Sequence, residues 1–516
     1  MLSRIFRVHF VGIGGIGMSG IAEVLLVQGW PVSGSDLRAS PVTERLQALG
    51  ARIAIGHTAA NLGDAEVVVV SSAIAEDNPE VAAARALQLP VIPRAEMLAE
   101  LMRLKFGIAV AGMHGKTTTT SMIATVLAAV GLDPTVVVGG RLGAIGSNAR
   151  LGTSSYLVAE ADESDRSFLT LSPIMAIITN LDREHLDCYR DLEDIQDAFV
   201  AFANRVPFYG TVVAGADDAA TRAILPRIRR RTLTYGLHEE ADLQVANVEL
   251  AGMESRFHLR PTAAAAHLLG REQLSQRDLG EFRLPRPGMH NVLNATAAVA
   301  TGLLLGRDLE LIRAAIAGFT GVDRRFQLRG EVGGVRVVDD YGHHPTELAA
   351  TLAAARQVVQ GAATWGRSPD PARPAGGRPE PGVAEPPPAR VLMIFQPHRY
   401  TRTQHLHQEF AQVLTLADRT WLLDIYPASE APIPGVTSAA LAAEAQAAGA
   451  HVTHCPSAQE AIAAAAAEAR AGDIILTQGA GNVSSLGGPL LEALAEAMEA
   501  RQSHPAESVQ MKKGRA

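Results

Sequence analysis

The chain has 516 residues, enough at roughly 150 residues per domain for three or four domains that each bury a full core. Its 46 Lys and Arg stand against 54 Asp and Glu, a net charge of −8, and 47% hydrophobic with 19% charged residues is the make-up of a globular protein rather than a disordered one. That balance argues against a nucleic-acid partner. The only two cysteines, Cys188 and Cys455, exclude a disulfide framework and a structural zinc site, and fit a reducing, cytoplasmic setting.

Arg4 and Arg7 followed by the apolar run Val8 to Ala22 imitate a secretory leader. However, His9 and the glycines Gly12, Gly14, Gly15, Gly17 and Gly20 interrupt the run, and no cleavage site follows. The uncharged run Thr117 to Leu132 opens with four threonines and is too short to span a bilayer. No membrane partner is expected.

Short β-rich apolar runs alternate with longer alanine- and leucine-rich ones, which predicts an α/β protein of mostly parallel sheets. A first block, 1–104, reads as strand 8–11, a glycine turn, a helix to 28, strand 31–34, strand 67–71 and a helix over 94–103. A second, 105–320, opens with strand 106–111 and carries strands 156–160 and 174–180, a helix near 192–203 and a less regular stretch from about 232 to 285. A helix beginning near His290 closes it. The third, 321–500, carries strands 335–339, 390–396, 420–425 and 473–477, again read as parallel. Within it, 361–388 is dense in Pro, Gly, Ala and Arg and reads as a disordered insertion, and 501–516 as a flexible tail.

Between the first strand and helix lies Gly12-Ile13-Gly14-Gly15-Ile16-Gly17, with Asp36 ending the next strand. Glycines there let backbone approach a pyrophosphate at a helix N-terminus, and the acid can take a ribose hydroxyl. A tight packing turn would need the same glycines, so the motif alone suggests a dinucleotide-like ligand without fixing which.

The second block repeats the arrangement as Gly112-Met113-His114-Gly115-Lys116-Thr117-Thr118. A strict GxxxxGK[ST] loop would need glycine at Val110. The functional end survives: Gly115 for close approach, Lys116 for the β- and γ-phosphates, and Thr117 as a hydroxyl ligand for Mg²⁺. Lys116 is the only lysine between Lys105 and Lys512.

Glu160-Ala161-Asp162-Glu163-Ser164-Asp165 ends one strand, and Asn180 to His185 follows another. In a parallel sheet the carboxyl ends share one edge, so Gly112, Glu160 and Asn180 should converge, and a carboxylate with an imidazole can hold a second divalent cation. Some of the acids in the 162–165 turn are expected to be plain surface charge. The third block places Asp339, Asp340, Tyr341, His343 and His344 after one strand, and His398, Arg399 and Arg402 after the next. Glu430 and Gln478 to Asn482 follow two more. Such arginine and histidine clusters suit capture of carboxylate or phosphate.

Taken in order, GIGGIGMSGIA, SGSD, SSAI, PRAEMLAELMR, GMHGKTTTT, EADESD, NLDREHLD, GMHNVLNATAA, DRRFQ, DDYGHHPTE, FQPHRYTRT, EAPIPGV and GAGNVSSL resemble the Mur ligase family over nearly the whole chain. The resemblance implies a Rossmann-like UDP-binding domain, a central P-loop ATPase domain and a Rossmann-like C-terminal domain. It implies ATP- and Mg²⁺-dependent joining of L-alanine to the lactyl carboxylate of UDP-N-acetylmuramate through an acyl phosphate. A tripeptide-recycling ligase of the same fold is the alternative, and an NAD-dependent dehydrogenase is the alternative of another class.

By position, the resemblance places the UDP substrate on Gly14, Gly15, Ile16, Gly17, Asp36, Ser71, Ser72 and Arg94. ATP falls to the 112–118 loop with His290, Asn291, Asn294 and Arg325, the metal to Thr117, Glu160 and His185, and substrate carboxylates to His344, Arg399 and Arg402. Lys116, His344 and Arg325 are the implied catalytic residues. Met113 departs from the family's small polar residue, and no lysine is available in the central block for the carbamylated metal bridge of some relatives.

Overall fold

The computed structural model describes residues 6–71, 73–142, 147–186, 188–365 and 388–503. Three sheets succeed one another along the chain, one in each predicted block. The first is wholly parallel: β1 (Val8–Val11), β2 (Val32–Asp36), β3 (Arg52–Ile55), β4 (Val67–Val70) and β5 (Val91–Pro93), in the order β3-β2-β1-β4-β5. Because β1 pairs with β2 on one side and β4 on the other, strand order reverses at its carboxyl end, where a doubly wound sheet opens its ligand crevice.

The second sheet has ten strands: β6 (Phe106–Ala111), β7 (Thr135–Leu142), β8 (Ser147–Arg150), β9 (Tyr156–Glu160), β10 (Met175–Ile178), β11 (Thr211–Gly215), β12 (Thr232–Gly236), β13 (Leu243–Ala251), β14 (Glu254–Pro261) and β15 (Glu281–Leu284). Here β6 lies between β9 and β10, both parallel to it, which makes a second switch point. β10 and β11 are buried along their full length, hence their unbroken apolar runs.

The stretch 232–285, expected to be less regular, instead forms β12 to β15. Its signal is a period of two: Ser255, Phe257, Leu259 and Pro261 of β14 are buried between more exposed neighbours, and Phe257 stacks on Phe282 of β15 at 5.5 Å. Charged residues at the alternate positions hide that pattern from a search for apolar runs.

The third sheet runs β16-β17-β21-β18-β19-β20, built from β16 (Gln327–Val332), β17 (Val335–Asp340), β18 (Val391–Phe395), β19 (Arg419–Leu422), β20 (Val452–His454) and β21 (Ile474–Gln478). All neighbours are parallel except β16, which pairs antiparallel to β17 with a bulge between Leu328 and Gly330.

The described chain packs into two compact units, the first of which holds almost all of the first two sheets. One comprises 1–248, 256–285 and 290–323, the other 249–255, 286–289 and 324–516. At 104/105 the helix Arg94–Arg103 leads directly into β6, and a Cβ on Gly107 would lie 2.2 Å from Met102 Cγ. The long stretch of the second unit begins at Arg324. Helix Pro345–Trp365 runs past Gly361, and helix Gly487–Ser503 runs into the expected tail. The rest of the expected insertion and tail, Ser72 and the side chain of Ile16 lie outside the described residues. No described helix is long and apolar enough to cross a membrane.

Candidate active site

The loop after β6 is built by backbone and clamped by its neighbour strand. Gly112 has φ +133°, and a Cβ there would fall 2.0 Å from Thr179 Oγ1. Gly115 has φ +81°, and its Cβ would meet Asn294 Oδ1 at 2.6 Å. Only glycine satisfies both demands at either position.

Just past β10, Asn180 accepts from Met113 N at its carbonyl and from His114 N at Oδ1, while its Nδ2 and Thr179 Oγ1 donate to His114 O. His114 Nε2 lies 3.0 Å from Asp182 Oδ2. Met113, the odd residue of the loop, contributes its backbone while its side chain joins the core. Gly115 caps helix Lys116–Ala129, whose first turn carries the buried Thr117 and Thr118. Asn294, from helix Met289–Leu304, accepts from Thr119 Oγ1, and Asn291 is buried beside it on the same helix with His290 at its start. Backbone N–H groups at such a turn make an anion site.

Lys116 Nζ donates to Gly112 O, to Met113 O and, at 2.7 Å, to Glu163 Oε1. Burial works to lower its pKa, but Glu163 and Glu160 beside it prevail and hold the ammonium above its ordinary value. Thr117 Oγ1 lies 3.0 and 3.1 Å from the two oxygens of Glu160. His185, in left-handed backbone at φ 55°, brings Nε2 to 3.4 Å from Glu163 Oε1. The convergence of Gly112, Glu160 and Asn180 expected from strand order is thus present.

Within the acidic turn, where some residues are expected to be surface charge, Glu163 is not one of them: it is 1% exposed, with an Oε2 that is buried and has no hydrogen-bond partner among the described residues. Asp165 is the exposed member. A hydroxyl, two carboxylates and an imidazole, with one carboxylate oxygen unsatisfied, form a donor set that fits a hard divalent cation.

At the first switch point, Gly14 N donates to Asp36 Oδ2 at 2.8 Å, so that oxygen holds the glycine turn. Gly12 N and Ile13 N both donate to Ser35 O, and Gly15 N to Gly12 O. Gly17 exists for Arg94: a Cβ there would lie 2.7 Å from its Nη1. Arg94 extends past Gly17 to Asp162 Oδ2 at 3.3 Å, joining the first loop to the acidic turn. Against burial, Ser164, Lys116 and Arg94 hold Asp162 below the ordinary carboxylate range. Ser71 follows β4 at the same edge.

In the other unit the strand ends are organised by side chains. The expected cluster after β17 divides: Asp340 is structural, accepting from Phe326 N, Gly342 N, Thr351 Oγ1 and Gln478 Nε2, and so offers little to a ligand. Burial raises the buried Asp339 carboxyl, against the pull of Arg324 and Thr477. Arg325 lies over the Tyr341 ring and 3.6 Å from Glu347, whose other oxygen accepts from His343 N and His344 N. His344 is 3% exposed at the start of helix Pro345–Trp365.

After β18, Arg399 (φ 73°) pairs with Glu430 at 3.4 Å, and Arg402 Nη1 donates to His398 O. His398 stacks on Tyr426 at 5.6 Å and approaches His343 at 5.5 Å. Burial, then His343, Arg402, Arg399 and Arg324, push its pKa down to about 3, so it is neutral at physiological pH. Sequence reasoning missed Arg324, whose Nη2 donates to Gly479 O and whose guanidinium covers Tyr341. Its positive φ of 58° beside Arg325 has no sequence signature.

Two nucleotide-type switch points with a phosphate loop, and a third sheet edged with arginine and histidine, define the architecture of an ATP-using ligase. Family models match in the same order: "Mur ligase family, catalytic domain" over 7–106, "Mur ligase middle domain" over 110–302, and "Mur ligase, glutamate ligase domain" over 324–366 and 382–481. The chain belongs to the Mur ligase family.

Among its relatives, the UDP-N-acetylmuramate–L-alanine ligase of Koribacter versatilis (strain Ellin345) is 55% identical over 96% of this chain and 98% of its own. That of Geotalea daltonii is 50% identical over 96% of this chain and 100% of its own. The crystal structure of the UDP-N-acetylmuramate-alanine ligase MurC from Thermotoga maritima matches with TM-score 0.71 and 27% identity over 96% of this chain and 99% of that one.

Proposed function

We propose that this chain joins L-alanine to the lactyl carboxylate of UDP-N-acetylmuramate at the expense of ATP. The observation that carries the reading is the loop Gly112–Thr117, with a buried lysine flanked by two carboxylates, in a chain similar from end to end to ligases of that name. A carboxylate is a poor electrophile, so its oxygen attacks the γ-phosphorus, the bond to the β-phosphate oxygen breaks, and ADP leaves an acyl phosphate. The amine of L-alanine attacks the acyl carbon, the bond to phosphate oxygen breaks, and the amide forms as the amine loses its proton.

Lys116 and the backbone of 112–115 bind the β- and γ-phosphates and offset the charge that gathers in transfer. Thr117, Glu160 and His185, with Glu163 beside them, would hold Mg²⁺, which would supply Lewis-acid neutralisation of phosphate oxygens. Thr118, His290, Asn291 and Asn294 support the nucleotide. Gly14, Gly15, Ile16, Gly17, Asp36, Ser71, Ser72 and Arg94 take the UDP moiety. Arg325 meets phosphate, and His344, Arg399 and Arg402 meet carboxylate. A nucleotide-activated substrate and ATP suit an activity in the cytoplasm, where we place it.

The test is phosphate release from ATP, Mg²⁺ and UDP-N-acetylmuramate with L-alanine or with L-Ala-γ-D-Glu-meso-diaminopimelate as acceptor. Release with L-alanine and formation of UDP-N-acetylmuramoyl-alanine is expected. Release with the tripeptide alone assigns the recycling reaction instead, and release with neither overturns the ligase reading.

A further inference from the structure

Below the first glycine loop lies a polar network that the reaction does not use. Its centre is Glu80, fully buried, in the first turn of helix Pro79–Ala86. Oε1 accepts from Asn61 Nδ2 at 2.6 Å and Thr58 N at 3.2 Å, and Oε2 accepts from Ser35 Oγ at 2.6 Å with His9 Nε2 at 3.2 Å. Ser35 Oγ is also 2.9 Å from His57 Nδ1, and His57 Nδ1 is 3.6 Å from Glu80 Oε1. Although burial alone would raise it, the Glu80 carboxyl is held down at about 2 by His9, Ser35 and Asn61. It is a permanent acceptor.

The proton count then fixes orientation. A serine hydroxyl has one hydrogen, and that of Ser35 is committed to Glu80, so its lone pair must take the proton of His57 Nδ1. In its neutral form His57 therefore carries its hydrogen on Nδ1 and presents Nε2 as an acceptor. It follows β3 at the edge where Asp36 and the glycine turn lie, and its side chain is 13% exposed. The same Ser35 carries the carbonyl that accepts from Gly12 N and Ile13 N, and the next residue, Asp36, holds Gly14 N.

We infer that Glu80 is a positioning residue for the UDP-bearing substrate. Through Ser35 it locks the carboxyl end of β2 under the glycine turn and sets His57 as a hydrogen-bond acceptor for an N–H or O–H of the uridine. This rests on the assignment of that substrate to the first sheet.

Glu80→Gln tests it, because the amide keeps the volume but puts an NH₂ where one pair of donors now converges. With the NH₂ toward Ser35, the hydroxyl must accept from it and donate to His57, which moves the imidazole proton to Nε2. In full-length protein labelled with ¹⁵N-histidine, long-range ¹H–¹⁵N spectra, with the His57 signal assigned by its loss in His57→Gln, should show Nδ1–H in the wild type and Nε2–H in Glu80→Gln. KM for UDP-N-acetylmuramate should rise about tenfold, the loss of one hydrogen bond to a buried group, with kcat and the KM for ATP unchanged. Ser35→Ala, which cuts the relay without touching the carboxylate, should reproduce the KM effect.

A wild-type His57 protonated at Nε2 overturns the inference even if no variant folds. So does an unchanged KM, or an equal loss in kcat and in the KM for ATP. A wild type that binds neither UDP nor UDP-N-acetylmuramate in calorimetry instead defeats the substrate assignment, while the tautomer still decides the role of Glu80 in the relay.

Discussion

In the proposed reading, the phosphate loop of the first unit and the arginine-edged sheet of the second meet anions by opposite means. Between Gly112 and Thr117 the groups on offer are backbone amides and one lysine, and the side chains of Asn180, Thr179 and Asn294 pack or bond against the turn. At the ends of β17 and β18 the groups are side chains, and each leans on another: Arg325 on Tyr341 and Glu347, Arg402 on His398, Arg399 on Glu430. A backbone site is rigid and indifferent to what the phosphate carries, whereas a side-chain site can be tuned to one acceptor.

Substitutions should separate the two. The largest effect belongs to Lys116→Ala, with phosphate release falling about a hundred- to a thousandfold in protein whose circular dichroism is unchanged. Retained turnover would remove Lys116 from the site. Gly115→Ala forces φ +81° and a Cβ at 2.6 Å from Asn294 Oδ1, a strain of about 1–3 kcal/mol. It should raise the KM for ATP about tenfold or more and leave that for L-alanine alone. Arg402→Ala should do the reverse, raising the KM for L-alanine about tenfold with ATP unaffected. If both variants shift both constants equally, the contrast between the units fails.

The smallest effect is on acid stability. His398 is neutral when folded, with its pKa near 3 against an ordinary 6.5, so below 6.5 the unfolded chain binds the extra proton and the second unit weakens as pH falls through that window. Glu80, held at about 2 against 4.5, is ionised when folded, so its contribution is present above 4.5 and is lost as pH falls from there towards 2. On acidification, hydrogen-exchange protection, corrected for the slowing of intrinsic exchange at low pH, should therefore fall in β18 before β2. His398→Gln should reduce the pH slope of the second unit by about one proton, and an unchanged slope would mean that the ring is not held neutral.

How much of this was legible in sequence follows the same division. The motifs 12–17 and 112–117 could be placed because glycine is required by φ and by close approach, and both strand-to-helix turns came with their flanking apolar runs. The convergence of Glu160 and Asn180 followed from parallel strand order. Pairings between side chains could not be read. Nothing in EADESD distinguishes the buried Glu163 from the exposed Asp165, because burial there depends on Lys116, 47 positions earlier. Asp340 looked like a site residue because it ends a strand, yet it bonds four groups of its own unit. Strands β14 and β15 were missed because their apolar residues alternate with charged or ionisable ones.

The central claim is that the lysine loop activates the lactyl carboxylate as an acyl phosphate. Turnover of UDP-N-acetylmuramate labelled with ¹⁸O in that carboxylate, with ATP, Mg²⁺ and L-alanine, tests it most directly through the mass of the phosphate released. One ¹⁸O per phosphate is the predicted result, since the carboxylate oxygen that attacks phosphorus leaves with it. Unlabelled phosphate formed alongside the amide would contradict the account.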